Sequence, residues 1–284
     1  MIANILDGIV LGLQFGLLAT GLTLIYGLGG VLNLGYGQIA VTSAMAVAFA
    51  MDAGIPTLPA IGLGLIAGGL FGLLLDVTIL RPVYRLRGEA RVLLSLLLTL
   101  GISFIVDGYL NWRYPLKTLN IYIGGAIDIL GVPMRRGSLV ASAITLATIT
   151  GLFVFFRSTS LGRAIRSVIE DEAGARLIGI DPEKMQRLIL VLSGVLAALV
   201  AVTRSMVVPV DTQSGLSITV FALIVTVVGG LGNVVGALLA GIILGIAYVV
   251  AASLIGSYIS LIILLVAAAV TILIRPAGLL GVKE

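Results

Sequence analysis

The residues with chemistry to offer in this sequence are few and concentrated. The stretch LGRAIRSVIEDEAGARLIGID, residues 161 to 181, holds seven of the chain's 30 charged side chains, between long apolar runs. A second stretch, GLGGVLNLGYGQ at 27 to 38, sets five glycines around Asn33, Tyr36 and Gln38. Exposed charge on an amphipathic segment suits a protein contact, and polar groups on broken backbone suit a solute path. Neither stretch supplies a catalytic centre. The chain has no His and no Cys, which removes Ser-His and Cys-His catalysis, thiol chemistry and nearly every transition-metal site. None of the three lysines, Lys117, Lys184 and Lys283, follows a glycine, so no GxxxxGK[ST] phosphate loop exists. GGLGN at 229–233 lacks both a preceding strand and a following Lys-Ser or Lys-Thr and reads as a sharp inter-helix turn. The sequence therefore calls for no metal, no cofactor and no enzymatic activity, and any ATP hydrolysis must come from a partner.

The elements that hold these two stretches are membrane helices. Sixty per cent of the residues are hydrophobic, 11% are charged, and the mean hydropathy is +1.22. Apolar runs near the length of about 20 residues needed to cross a bilayer recur along the chain. The predicted fold is all-α, a polytopic transmembrane helical bundle forming one domain over 1–284. Spans are expected at about 5–27, 37–52, 58–80, 92–110, 138–156, 188–208, 218–232, 234–252 and 257–274. Those at 37–52 and 218–232 are short, which gives eight or nine crossings with glycine-broken segments. The net charge of +4 reads as basic cytoplasmic loops and not as a nucleic-acid surface. The segments 81–91, 157–187 and the C-terminus carry 12 basic residues, against four in 111–137. This places the charged stretch and the C-terminus in the cytoplasm and, with nine spans, the N-terminus outside. The first basic residue is Arg81, so the opening apolar run is expected to be a permanent span and not a cleavable signal.

Small residues repeat every four positions at Gly8, Gly12, Gly16 and Thr20, and at Ala60, Gly64, Gly68 and Gly72, as close-packing ridges. Ser95, Thr99 and Ser103 share the same spacing and read as hydroxyls that bridge helices. Asp76 is expected in a cytoplasmic-end charge cluster, while Asp107 and Arg204 lie near span ends where they can snorkel. No acidic residue falls clearly at mid-membrane, which disfavours a proton- or sodium-coupled carrier.

In the charged stretch, Leu161, Ile165, Val168, Ile169, Leu177 and Ile180 form an apolar side, and Arg163, Arg166, Glu170, Asp171 and Arg176 a polar one. Gly174 is expected to interrupt the helix and Gly179 to cap it. Asp181 with Pro182 then starts the next span. The acidic block Glu170, Asp171 and Glu172 would be repelled by anionic lipid, which favours a protein partner. The 27–38 stretch is expected to break the helix at the end of the first span, either as a plain interfacial turn or as a lining of the path. There Gly37 would supply backbone freedom.

The charged stretch resembles the cytoplasmic coupling loop of ATP-binding-cassette importer permeases, and more narrowly that of branched-chain amino acid permeases of the LivH type. Gly162, Arg163, Ala164, Arg166, Glu170, Asp171, Ala175, Leu177, Gly179 and Ile180 fit the family's "GRAxRAxAEDxxxAxLLGI". GLTLIYGLGGVLNLGYGQ (21–38), ILRPVYR (79–85), VVGGLGNVVGALLAG (227–241) and RPAGLLG (275–281) resemble further family stretches in the same order. The resemblance implies a permease subunit for branched-chain amino acids or a related small polar solute, in the inner membrane. It also implies a homologous second permease as heterodimer partner, two cytoplasmic ATP-binding subunits and an extracytoplasmic solute-binding protein. Gly162, Arg163, Arg166, Glu170, Asp171 and Gly179 would couple to the ATPase within a loop of about 157–187. Gln14, Asn33, Tyr36, Gly37 and Gln38 would line the path. Tyr36 and Gln38 stand where the family has His and Glu, which bears on selectivity. The rival readings are a simple-sugar permease of the same transporter class and a self-sufficient secondary carrier or channel.

Overall fold

The computed structural model describes residues 2–86, 88–129, 132–275 and 278–280. Arg87 and Lys283 of the basic count, and Pro276, Ala277 and Gly281 of the RPAGLLG tail, lie outside the described residues. The chain is helical throughout its apolar runs. Helices α1 (Ile2–Gly29), α2 (Tyr36–Asp52), α3 (Thr57–Leu75) and α5 (Glu89–Arg113) form the first half, with a π-helical turn at Asp76–Leu80 and short α4 (Arg81–Val83) ending α3. The second half holds α6 (Arg136–Ser158), α7 (Ser160–Glu170), α8 (Glu172–Leu177), α9 (Pro182–Ser205), α10 (Ser214–Gly229), α11 (Val234–Ile255) and α12 (Ser257–Ile274). Among the described residues, seven helical stretches are long and apolar enough to cross a membrane. The remaining two, α2 with 17 residues and α10 with 16, are the pair whose shortness the sequence shows.

Contacts between helix ends sort the loops onto two faces. Asn4 Nδ2 donates to Ser253 Oγ, while Gly27 lies against Gly232, so α1 and α11 run antiparallel. Arg91 donates to the carbonyl oxygens of Gly29, Tyr84 and Leu86, which gathers the ends of α1 and α4 at the start of α5. A guanidinium there also meets the partial negative charge of the α1 C-terminus. Asp76 pairs with Arg187 at 3.3 Å, and the exposed Arg81 with Glu183 at 3.8 Å, tying the end of α3 to the start of α9. This is the charge cluster expected around Asp76. On the opposite face, strands β1 (Thr118–Leu119) and β4 (Val210–Asp211) pair antiparallel, Lys117 pairs with Asp52, and the hairpin of β2 (Ala126–Ile129) and β3 (Val132–Arg135) leads into α6. The basic segments 81–91 and 157–187 thus share one face with the end of α12.

Glycine sets how closely α1 and α11 approach. A Cβ built on Gly8 would stand 2.7 Å from Ile246 Cα, and one on Gly12 would stand 2.7 Å from Ile242 Cα. The ridge read from the sequence is a backbone-to-backbone contact, as membrane helices require where lipid gives no hydrophobic drive. Beside it, Leu17, Leu22, Ile25, Tyr36, Ile39 and Met45 are wholly buried where α1 and α2 meet the core.

Gly12→Val is expected to destabilise the subunit by about 1–3 kcal/mol, the usual cost of overpacking. Thermal unfolding of the detergent-purified chain measures this, and an unchanged midpoint would contradict the close α1–α11 contact.

Candidate functional site

The break between α1 and α2 is built from glycine and then stitched to α5. Gly30 takes φ +58°, a left-handed conformation that turns the chain out of α1, and residues 31–33 carry no regular structure. Backbone outside a helix within a membrane needs partners for each N–H and C=O. Leu32 N–H donates to Ser95 Oγ at 3.1 Å, and Leu34 N–H to Thr99 Oγ1 at 3.0 Å. Gly35 N–H donates to Asn33 Oδ1 at 2.9 Å, and Gly37 N–H to Thr219 Oγ1 of α10 at 2.9 Å. The helix-bridging role read for Ser95 and Thr99 therefore holds, with the broken segment as their target. The row continues at i+4 through Ser103 to Asp107 and Asn111. Gln38 Nε2 donates to Asp107 Oδ1 at 3.3 Å, and Thr212 Oγ1 donates to Asn111 Oδ1 at 3.0 Å. Sequence reasoning stops short of this continuation because Asp107 reads as a span-end charge free to snorkel; here its carboxylate turns inward to α2. The unbroken four-residue spacing is the signal that would have found it.

Of the five residues expected along the path, Asn33, Tyr36, Gly37 and Gln38 come together among α1, α5 and α10. Gln14 sits apart, its amide 3.4 Å from the Thr203 carbonyl of α9. All five are buried. The Tyr36 phenol fills space that exists because residue 21 is glycine, since a Cβ there would overlap the hydroxyl. Gly37 is helical, and its need for glycine is spatial: a Cβ would strike the carbonyl oxygen of Gly215. That corrects the expectation that it supplies backbone freedom. Asn33 Nδ2, Tyr36 OH and Gln38 Oε1 are buried with no hydrogen-bond partner. The break thus concentrates unsatisfied neutral polar atoms in an apolar bundle.

The charged stretch folds as two helices, and its break lies elsewhere than expected. Asp171, at φ −153° and ψ 101°, separates α7 from α8 and caps α8 through its carboxylate, which accepts from Ala173 N–H at 3.0 Å. Gly174 lies inside α8, where a Cβ would come 2.6 Å from Asp171 Oδ2; its bareness makes room for the cap. Gly179, at φ +85°, closes α8: the amide of Ile180 donates to the Ala175 carbonyl. Asp181 accepts from the amides of Glu183 and Lys184 at the start of α9, with Pro182 in the first turn. Loss of water alone would raise the Asp181 carboxyl, but those amides and the Lys184 side chain outweigh it and hold it below the usual carboxylate range.

The apolar side of this stretch is narrower than the sequence suggests. Gly162, Ile165, Val168 and Ala175 are buried, whereas Leu161, Ile169, Leu177 and Ile178 are exposed, Leu177 to 89%. Gly162 belongs to the packing: a Cβ there would lie 2.6 Å from Phe156 Cα, so it lets α7 fold back on α6. Arg163, Arg166, Glu170, Asp171 and Gly179 are exposed. None of these four charged side chains enters an ion pair among the described residues. A cavity of about 450 Å³ opens beside α7, with Thr20, Thr23 and Phe156 among its walls and Arg157 and Arg166 on its lining.

A family model described as the permease component of the branched-chain amino acid transport system matches residues 4–274. The chain is 26% identical to the high-affinity branched-chain amino acid transport system permease protein LivH of Escherichia coli (strain K12), over 69% of this chain and 68% of that protein. It is 26% identical to the corresponding permease protein BraD of Pseudomonas aeruginosa, over 72% and 70%. It is also 27% identical to the fructose import permease protein FruF of Bifidobacterium longum, over 76% of this chain and 60% of that protein.

Thr99→Val keeps the shape of the side chain and removes the acceptor for Leu34 N–H. It is expected to destabilise the subunit by about 1–3 kcal/mol, the cost of a buried unpaired donor, while Thr99→Ser recovers most of it. Parallel thermal unfolding of the two variants in detergent checks this ordering.

Proposed function

Since the chain belongs to the branched-chain amino acid transport system permease family, we propose that it is the membrane-spanning subunit of an ATP-binding-cassette importer, with branched-chain amino acids or a related small polar solute as cargo. The observation that carries the mechanism is the exposed surface of α7 and α8. It presents Arg163, Arg166, Glu170 and Asp171 without ion-pair partners, beside the exposed Leu161, Ile169, Leu177 and Ile178. Apolar anchors ringed by unpaired charges suit docking into a groove of a soluble partner. A subunit with no phosphate loop receives motion through such a contact. Gly162 and Gly179 shape the loop, the first by its close approach to α6 and the second by its left-handed turn.

In this reading the loop at about 157–187 and the C-terminus face the cytoplasm, in agreement with the basic residues gathered on their face. The subunit is one transmembrane domain in the inner membrane. It works with a homologous second permease, two ATP-binding subunits and an extracytoplasmic solute-binding protein. Closure of the ATPase pair moves α7 and α8, and the bundle shifts between inward- and outward-open arrangements. The solute passes the break that holds Asn33, Tyr36, Gly37 and Gln38, with Gln14 at the neighbouring α1–α9 contact. Unpartnered neutral polar atoms there favour a polar or zwitterionic cargo over an ion. The similarity to a fructose import permease supports a second reading with a simple sugar as cargo.

Arg166→Glu and Glu170→Arg are expected to reduce solute uptake at least about ten-fold, as loss of an interfacial charge contact does, while the subunit still reaches the membrane. Uptake in reconstituted vesicles, read beside ATP hydrolysis, measures the coupling, and wild-type uptake in both variants would remove the docking assignment. Vesicles that hold this chain alone are expected to show no uptake.

A further inference from the structure

Asp107 is a carboxylate inside a membrane-spanning helix, with no counter-ion among the described residues. It lies in α5, six residues before that helix ends at Arg113. Among the described residues no Lys or Arg pairs with it: the Arg113 guanidinium lies over the Tyr114 ring at 5.0 Å, and Lys117 pairs with Asp52. Ionisable groups at such positions are costly and mark functional sites.

Its one side-chain partner makes the imbalance sharper. An ionised carboxylate only accepts hydrogen bonds, so Gln38 must offer its amide NH2, and Nε2 donates to Asp107 Oδ1 at 3.3 Å. That orientation turns Gln38 Oε1 away, and this oxygen is buried and without a partner. Gln38 itself is wholly buried, its amide laid against Gly215 of α10, where a Cβ would come 2.5 Å from Cδ. The site therefore holds one carboxylate without a basic partner and one unpartnered neutral acceptor.

We propose that Asp107 and Gln38 together take the ammonium group of an amine-bearing solute on its way through the bundle. The inference rests on the importer reading above and specifies the chemistry by which the chain selects cargo. An ammonium brings three donors and a positive charge, which satisfies both acceptors at once. A sugar hydroxyl brings one donor and no charge. The groups are closed in the present packing, but α5 is loosely held. Its buried positions are Ser95, Thr99, Ser103 and Leu110, and the hydroxyls of Ser95 and Thr99 hydrogen-bond the broken segment. Displacement of α5 from α2 uncovers both acceptors, and Asn111 with Thr212 continues the polar row to the face opposite the charged loop.

The test uses vesicles reconstituted with this chain, its second permease, both ATP-binding subunits and the binding protein, given labelled L-leucine or fructose. Asp107→Asn keeps the shape and removes the charge. It is expected to lower leucine uptake at least about ten-fold, as loss of a charged hydrogen bond does, while ATP hydrolysis persists and Asp107→Glu retains most of the uptake. Gln38→Met, which keeps the length and removes the acceptor, is expected to lower leucine uptake as well. Wild-type leucine uptake in whichever of Asp107→Asn and Gln38→Met assembles overturns the assignment and leaves the importer reading intact. Uptake of fructose alone by the wild-type vesicles does the same. If neither solute enters with every subunit present, both readings fall.

Discussion

The structure turns on a rule that water-soluble proteins can evade: inside a bilayer, backbone that leaves the helix must find its hydrogen bonds within the protein. Each unsatisfied group costs several kcal/mol in hydrocarbon. This chain leaves the helix between Gly29 and Tyr36 and meets the cost with the hydroxyls of Ser95 and Thr99, the Asn33 side chain and Thr219. Helix α5 is therefore a hydrogen-bonding template for the break as well as a span. Its apolar residues largely face outward, and its buried side is polar.

That arrangement links packing to motion. Helices α1 and α11 meet backbone to backbone through glycine, a contact with little freedom to slide. Helix α5 is joined to the broken segment and to the start of α2 by a few directional bonds. A rigid pair beside a loosely joined helix suits the proposed alternation of the bundle between two arrangements. The charged loop sits on the face where α1 ends and α5 begins. Asp76 and Arg187 tie the end of α3 to the start of α9, directly behind the exposed surface of α7 and α8.

Glycine serves three separate purposes here, and a composition of 37 glycines does not tell them apart. Gly30 and Gly179 are needed for left-handed backbone. Gly12, Gly37 and Gly162 are needed for room, since a Cβ would strike neighbouring main chain. Gly174 makes space for one carboxylate, the Asp171 cap, and so permits the kink that it was expected to cause. The break falls at Asp171 because a short side chain that can accept from the backbone two residues on competes well with continued helix.

The sequence by itself determined the class, the helices and the two unusual stretches. Hydropathy at a span's length is a local property, capping signals such as Asp181-Pro182 act within one turn, and missing residue types are visible in any order. The short α2 and α10, the break at 27–38 and the gathering of basic loops on one face were all legible for that reason. Tertiary structure alone decided which side of an amphipathic helix is covered. Ile165 and Val168 pack inward, while Ile169 and Leu177 stay bare, because α6 and α9 cover only part of the apolar arc. It also decided that Gln38 meets Asp107 across 69 residues of sequence and that Tyr36 fills the space left by Gly21. Such pairings depend on the level at which one helix lies beside another, and no local pattern in the chain encodes that level.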